Sequence, residues 1–177
     1  LRIGNDTVDF GDLSSVNKEG TGVSSSTRGV FCGGASFLNT MEYITMSTAG
    51  NTTDFGNLLT TVLNKPGGLG SNTRGVIMGG NDNSTGNINV MQYITIANTG
   101  NATDFGNLSA ASTGVATCNS NTRGIMHVNS GSDILEYITI ASTGNSTDFG
   151  NLLASTSELE CGGGNSQTKH YSISCNS

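Results

Sequence analysis

Glu42-Tyr43-Ile44-Thr45-Met46, followed by Gly50-Asn51-Thr52-Thr53-Asp54-Phe55-Gly56-Asn57-Leu58, is the stretch on which the fold turns. A β-branched and aromatic run, a Gly-Asn turn and a second short run read as two strands joined tightly. The phrase returns from Gln92 to Leu108 and from Glu136 to Leu152, and a truncated copy runs from Gly4 to Leu13. Phe10, Phe55, Phe105 and Phe149 mark the copies, 45, 50 and 44 residues apart. A second marker, Thr-Arg-Gly before an apolar run, recurs at Thr27-Arg28-Gly29, Thr73-Arg74-Gly75 and Thr122-Arg123-Gly124, with Thr168-Lys169 as a degenerate fourth.

Each period holds four short strand candidates separated by Gly, Asn or Ser. The first is weak: Thr21 to Ser24, Gly68 to Ser71, Val115 to Cys118 and Leu159 to Cys161. The second, as in Val30-Phe31-Cys32 and Val76-Ile77-Met78, is apolar on both faces and implies burial on both sides. Tyr-Ile-Thr forms the third and Asp-Phe-Gly-Asn-Leu the fourth. Four antiparallel strands every ~45 residues make one propeller blade. The expected fold is therefore all-β, a single propeller domain over residues 1–177 with repeats of about 1–42, 43–92, 93–136 and 137–177. The chain begins near a third strand (Leu1 to Ile3) and a fourth (Asp9 to Leu13) and ends after a first and second. Pairing those halves in one blade would close the ring and remove its edges.

Composition agrees and narrows the function. Charged residues are 11% of the chain, Gly numbers 26, and Asn, Ser and Thr together number 66, a turn-and-strand usage. A net charge of −6 gives phosphate backbones no cationic surface, so nucleic acid is not an expected partner. No run approaches the ~18 apolar residues of a membrane span, and no membrane insertion is expected.

Gly33-Gly34, Tyr43, Phe55 and Leu58, repeated as Gly79-Gly80, Tyr93, Phe105 and Leu108, resemble the kelch repeat, with Phe where kelch usually has Trp. The third repeat departs from it, with Val128-Asn129 in place of Gly-Gly, and the last has Ser174-Cys175. The phrases Tyr-Ile-Thr-Ile, Thr-Asp-Phe-Gly-Asn-Leu and Ser-Asn-Thr-Arg-Gly are similar to kelch-like repeats in virion-associated proteins of marine tailed phages, notably cyanophages. That resemblance implies a β-propeller of about four blades and a non-enzymatic structural or adhesive module of a phage particle, tail-associated and located in the virion. Its implied partners are other virion proteins, a host surface glycan or further copies of the chain. A secreted lectin-like propeller is the alternative.

No nucleophile elbow, zinc-protease helix or phosphate loop is present, so no catalytic residue, metal or cofactor is expected. Asp9, Asp54, Asp104 and Asp148, and Arg28, Arg74, Arg123 and Lys169, recur with the period. A catalytic group is needed once and a contact between blades in every blade, so these rows read as structural. The Tyr row reads as packing between blades. His127 occupies the buried-strand position of Cys32 and Met78, and Asn81 to Gly86 reads as a polar turn. Cys161 and Cys175 fall on neighbouring strands of the blade joined across the termini, within disulfide reach, while Cys32 and Cys118 read as free thiols.

Connectors on one propeller face barely change from copy to copy, whereas those on the other, between strands two and three and between blades, differ in length and chemistry. Variable loops on a rigid scaffold are where recognition is built. Lys18, Glu19, Lys65, Asp82, Asn83 and Asp133 on that face are the candidate ligand- or partner-binding residues.

Overall fold

The computed structural model describes residues 8–34, 38–60, 64–82, 84–128 and 131–155, and the backbone of Gly162–Asn165 and His170–Ile173. Every regular element among them is a strand. The first sheet joins β1 (Thr21–Ser24), β2 (Arg28–Cys32), β3 (Thr40–Thr45) and β4 (Thr53–Asn57) in chain order. The second joins β5 (Gly67–Gly70), β6 (Arg74–Met78), β7 (Val90–Thr95) and β8 (Thr103–Asn107). The third joins β9 (Ala116–Asn119), β10 (Arg123–His127), β11 (Ile134–Thr139) and β12 (Thr147–Asn151). All pairings are antiparallel, and β13 (Gly162–Asn165) and β14 (His170–Ile173) form a two-stranded sheet.

One local device recurs in all three four-stranded sheets. The register shifts between Met41 and Glu42, Met91 and Gln92, and Leu135 and Glu136, so an extra residue of the facing strand, Phe55, Phe105 or Phe149, is bulged. The following Gly takes the positive φ that the bulge requires, +137° at Gly56 and +142° at Gly106. Asp-Phe-Gly-Asn is thus bulge chemistry that strengthens local twist. Tyr43 meets Phe55 edge to face at 6.0 Å, and Tyr93 meets Phe105 at 6.1 Å. The Tyr row thus packs on the Phe row within each sheet, and Tyr43 and Tyr93 also pack against the cores shared between sheets, the contact between blades that the sequence suggested.

The sheets stack through two shared cores. Val23, Val30, Met41 and Phe55 of the first sheet meet Ile77, Ile94 and Ile96 of the second. Leu69, Val76, Met91 and Phe105 of the second meet Met126, Ile138 and Ile140 of the third. Val76 and Ile77 therefore face opposite cores, the two-sided burial expected of the second strand. Phe31 is the exception at 40% exposed, because no described sheet covers the rear of the first one. First strands line up across the stack: β1 beside β5, β5 beside β9, and β9 beside β13.

Of the closed four-bladed ring expected from the sequence, the described residues form the all-β part: three four-stranded antiparallel sheets and one pair, none closed on itself. The expected strand from Asp9 to Leu13 is not a strand. Lacking a described neighbour to ladder with, it spends its carbonyls on the first sheet's turn, Phe10 accepting from Gly50 at 2.7 Å and Asp12 from Thr52 at 2.9 Å. Cys161 and Cys175 lie outside the described residues, and Cys32 and Cys118 are free.

Candidate functional site

The connectors that recur from copy to copy fasten one sheet to the next. Asn57 donates its amide to Asn101 Oδ1 at 3.0 Å, Gly100 donates to the Phe55 carbonyl at 2.7 Å and Ala102 to the Asn57 carbonyl at 2.9 Å. The second and third sheets repeat this with Asn107 on Asn145 and Gly144 on Phe105. A Cβ on Gly106 would overlap the Gly144 carbonyl, and one on Gly56 the Gly100 carbonyl, so the approach is open to Gly alone.

The Arg row is fastened in the same sense. Arg28 lies over the Tyr43 ring at 4.2 Å and donates to the Ile96 carbonyl of the next sheet at 3.0 Å; Arg74 treats Tyr93 and Ile140 alike. The recurring Asp residues are not their partners: Asp9 accepts from the nearby Gly11 amide at 3.0 Å. The structural reading of both rows thus rests on carbonyls, rings and turns.

Both expected groupings of connectors are present. Met46, Ile96 and Ile140 donate to Thr27, Thr73 and Thr122, which ties the loops after first and third strands together. On the opposite side Asn64 bridges Asn81, Gly80 donates to Ser112 and Ser112 to Ile88. This second side carries the candidate binding residues. Lys65 donates its amide to the Glu19 carbonyl at 2.9 Å and Gly114 to the Lys65 carbonyl at 2.8 Å, one rung per sheet. Glu19 (φ +60°), Lys65 (φ +53°) and Gly114 (φ +65°) share a left-handed backbone, so two of the candidates have a structural task. Sequence reasoning missed this because only Gly114 carries the usual residue signal.

Asp82 directly follows Asn81 of the antiparallel Asn64–Asn81 bridge. Its carboxylate closes the expected polar turn, accepting from the Thr85 amide at 2.6 Å, the Thr85 hydroxyl at 2.7 Å and the Ser84 amide at 3.0 Å. The hydroxyl and amide of Thr85 hold its pKa below the ordinary carboxylate range. Asp133 belongs to the third sheet's loop, where its carbonyl accepts from Leu152 at 2.7 Å. Asn83 lies outside the described residues. Lys18 and Glu19 border a groove of about 330 Å³ lined also by Leu13, Thr21 and Phe31. This groove is the rear of the first sheet, the seat that a preceding sheet fills at Ile77 and Met126.

Titratable groups elsewhere are buried singly. His127 is 6% exposed, with Nε2 3.0 Å from the Ser132 carbonyl oxygen. Burial pushes the Cys32 thiol up to about 12 and raises that of Cys118. Among the described residues no three His, Cys, Asp or Glu side chains are grouped to hold a metal. No family model matches the sequence, and no curated protein matches it.

Proposed function

We propose that the chain is a non-enzymatic structural and adhesive module of a phage particle, tail-associated, whose variable loop side binds a host surface glycan or a neighbouring virion protein. The observation that carries this reading is the division of labour between the two loop sides. The recurring Arg, Tyr, Gly and Asn residues are engaged within and between sheets, while Lys18, Asp82 and Asp133 differ from copy to copy. A surface rich in Asn, Ser and Thr with little charge suits hydrogen bonding to sugar hydroxyls or to a polar protein face.

In this reading the sheets are blades of a kelch-like propeller of about four blades. The fourth takes β13 and β14 as inner strands and residues 8–13 as its outermost, which closes the ring. Closure would cover Phe31, so Phe31→Ala should then cost about 3–5 kcal/mol, as for a buried Phe; a loss below about 1 kcal/mol would mean an open stack.

The function is tested by presenting the chain to a glycan array and to virions. Asp82→Ala with Asp133→Ala should leave the fold intact and weaken attachment. Unchanged attachment, with loss on altering the Thr-Gly-Asn turns instead, would reverse the assignment of sides.

A further inference from the structure

Each boundary between sheets is also fastened by one side chain of the third strand, in one of two chemical forms. Where residues 8–14 meet the first sheet it is Glu42, which accepts from the Ser14 amide at 3.1 Å, the Ser14 hydroxyl and the Thr52 hydroxyl at 2.7 Å. Between the second and third sheets it is Glu136, 2% exposed, which accepts from the Ser109 amide at 3.3 Å and from the hydroxyls of Ser109 and Ser146. Between the first and second sheets it is the neutral Gln92, 0% exposed. There Leu59 stands in place of Ser14 and Ser109, and Ala102 in place of Thr52 and Ser146. The Gln92 Oε1 accepts from the Leu59 amide at 2.7 Å, and its Nε2 donates to Thr60 Oγ1 at 3.4 Å. Thr60 in turn stands where the Glu136 boundary has Ala110.

The pattern has a physical cause. A carboxylate only accepts, so Glu136 is satisfied by hydroxyls that donate and would be short of donors against Leu59. An amide both donates and accepts, and the Leu59 amide with the Thr60 oxygen provides Gln92 with one partner of each kind. An acidic side chain placed in that setting would bury a charge with too few partners.

The sheets are otherwise nearly interchangeable. Thr-Arg-Gly, Tyr-Ile-Thr and Asp-Phe-Gly-Asn-Leu recur in all three. The bonds from Arg to carbonyl and from amide to Asn are the same between the first and second sheets as between the second and third. Nothing in those fastenings tells one sheet from another. Repeat chains misassemble by this route, a sheet stacking on the wrong neighbour or on one from a second copy.

We propose that the residue before the Tyr of each third strand is a pairing key, which reserves the Leu59 edge of the first sheet for Gln92 and bars Glu42 and Glu136 from it. The third sheet is thereby seated on the Ser109 edge of the second sheet and kept off the first sheet of another copy. Discrimination comes from the contact denied as much as from the contact made. This inference concerns the order of the sheets and is independent of what the loop side binds.

The test uses the full chain. Gln92→Glu should lower the thermal midpoint by about 4 °C or more, and adding Leu59→Ser with Ala102→Ser should recover more than half of that shift. At the next boundary, Ser109→Leu should shift the midpoint at least about twofold more with Glu136 in place than in the Glu136→Gln background. This second cycle decides the matter even where Gln92→Glu does not fold. The triple variant gives all three boundaries the acidic form, which removes the code while leaving each key its donors. After dilution from denaturant it should give at least about twofold more higher-order species than the wild type, read by size-exclusion chromatography with light scattering. Additive shifts in either cycle would overturn the match between key and edge. A triple variant that regains its midpoint and refolds with the wild type's share of higher-order species would overturn the role in pairing.

Discussion

Arg74 and Ile140 are joined across a sheet boundary: the guanidinium donates to the Ile140 carbonyl at 3.0 Å while its plane covers Tyr93 at 4.2 Å. One side chain thus ties two sheets and stiffens the ring beneath it, and Arg28 does the same one sheet earlier. A charged donor to a carbonyl contributes about 1.5–3 kcal/mol and a cation over an aromatic face about 0.5–1 kcal/mol. Arg74→Ala should accordingly cost about 2–3 kcal/mol in chemical denaturation. Arg123→Ala, which loses only its ring contact among the described residues, should cost about 1 kcal/mol or less. Equal losses at both positions would show that the bond to Ile140 contributes nothing.

Lys65 holds a left-handed backbone, φ +53°, at the position where the next sheet has Gly114. A non-Gly residue there carries a cost of about 1 kcal/mol. Lys65→Gly relieves it but frees the unfolded chain, so stability should change by less than about 1 kcal/mol in either direction. Gly114→Val, adding a β-branched residue at φ +65°, should destabilise clearly. Thermal denaturation of the two variants checks the contrast.

Much of this was legible in the residues. The repeat of Tyr-Ile-Thr with Asp-Phe-Gly-Asn-Leu fixes strand order because turn chemistry and β-branched runs act locally. Gly56 and Gly106 read only as members of the fourth strand, and their clearance for Gly100 and Gly144 is a contact between sheets that spacing alone does not display. Glu42, Gln92 and Glu136 escaped notice for a similar reason. Each precedes the Tyr in every copy, yet the Ser or Leu that explains its charge lies 27 to 33 residues away in the chain. Glu19 and Lys65, read as binding candidates from their place on the variable connectors, act first through backbone conformation, which side-chain type conceals.

Glu42 gives the docking of residues 8–14 a pH dependence. Burial acts to raise its pKa, but the hydroxyls of Ser14 and Thr52 and the Ser14 amide outweigh it and hold the group below its ordinary value of 4.5. A folded pKa lowered in this way contributes stability that is full above 4.5 and is lost as pH falls through the lower folded value. Amide exchange at Gly50 and Thr52, which bond Phe10 and Asp12, should accelerate as pH falls through that window, after correction for intrinsic rates. Glu42→Gln should remove the dependence; a wild-type profile retained by that variant would assign it elsewhere.

Cys32 is 2% exposed with its thiol pushed up to about 12. The thiolate is the reactive form, so Cys32 should resist iodoacetamide at pH 8 in the native protein and react once denaturant is added. Peptide mass mapping distinguishes it from the other cysteines. Rapid native labelling would mean that the shared core of the first two sheets opens readily.

The stacking of sheets through close main-chain approach is tested most directly by one comparison of folding free energies, Gly106→Ala against Gly86→Ala. Both glycines have positive φ, +142° and +90°, so both substitutions carry a conformational cost of about 1–2 kcal/mol. Only at Gly106 does the added methyl also meet the carbonyl of Gly144 in the next sheet, whereas Gly86 has open space. Gly106→Ala should therefore lose at least about 2 kcal/mol more than Gly86→Ala, as overpacking against backbone does. Equal losses for the two variants would contradict the stacked arrangement.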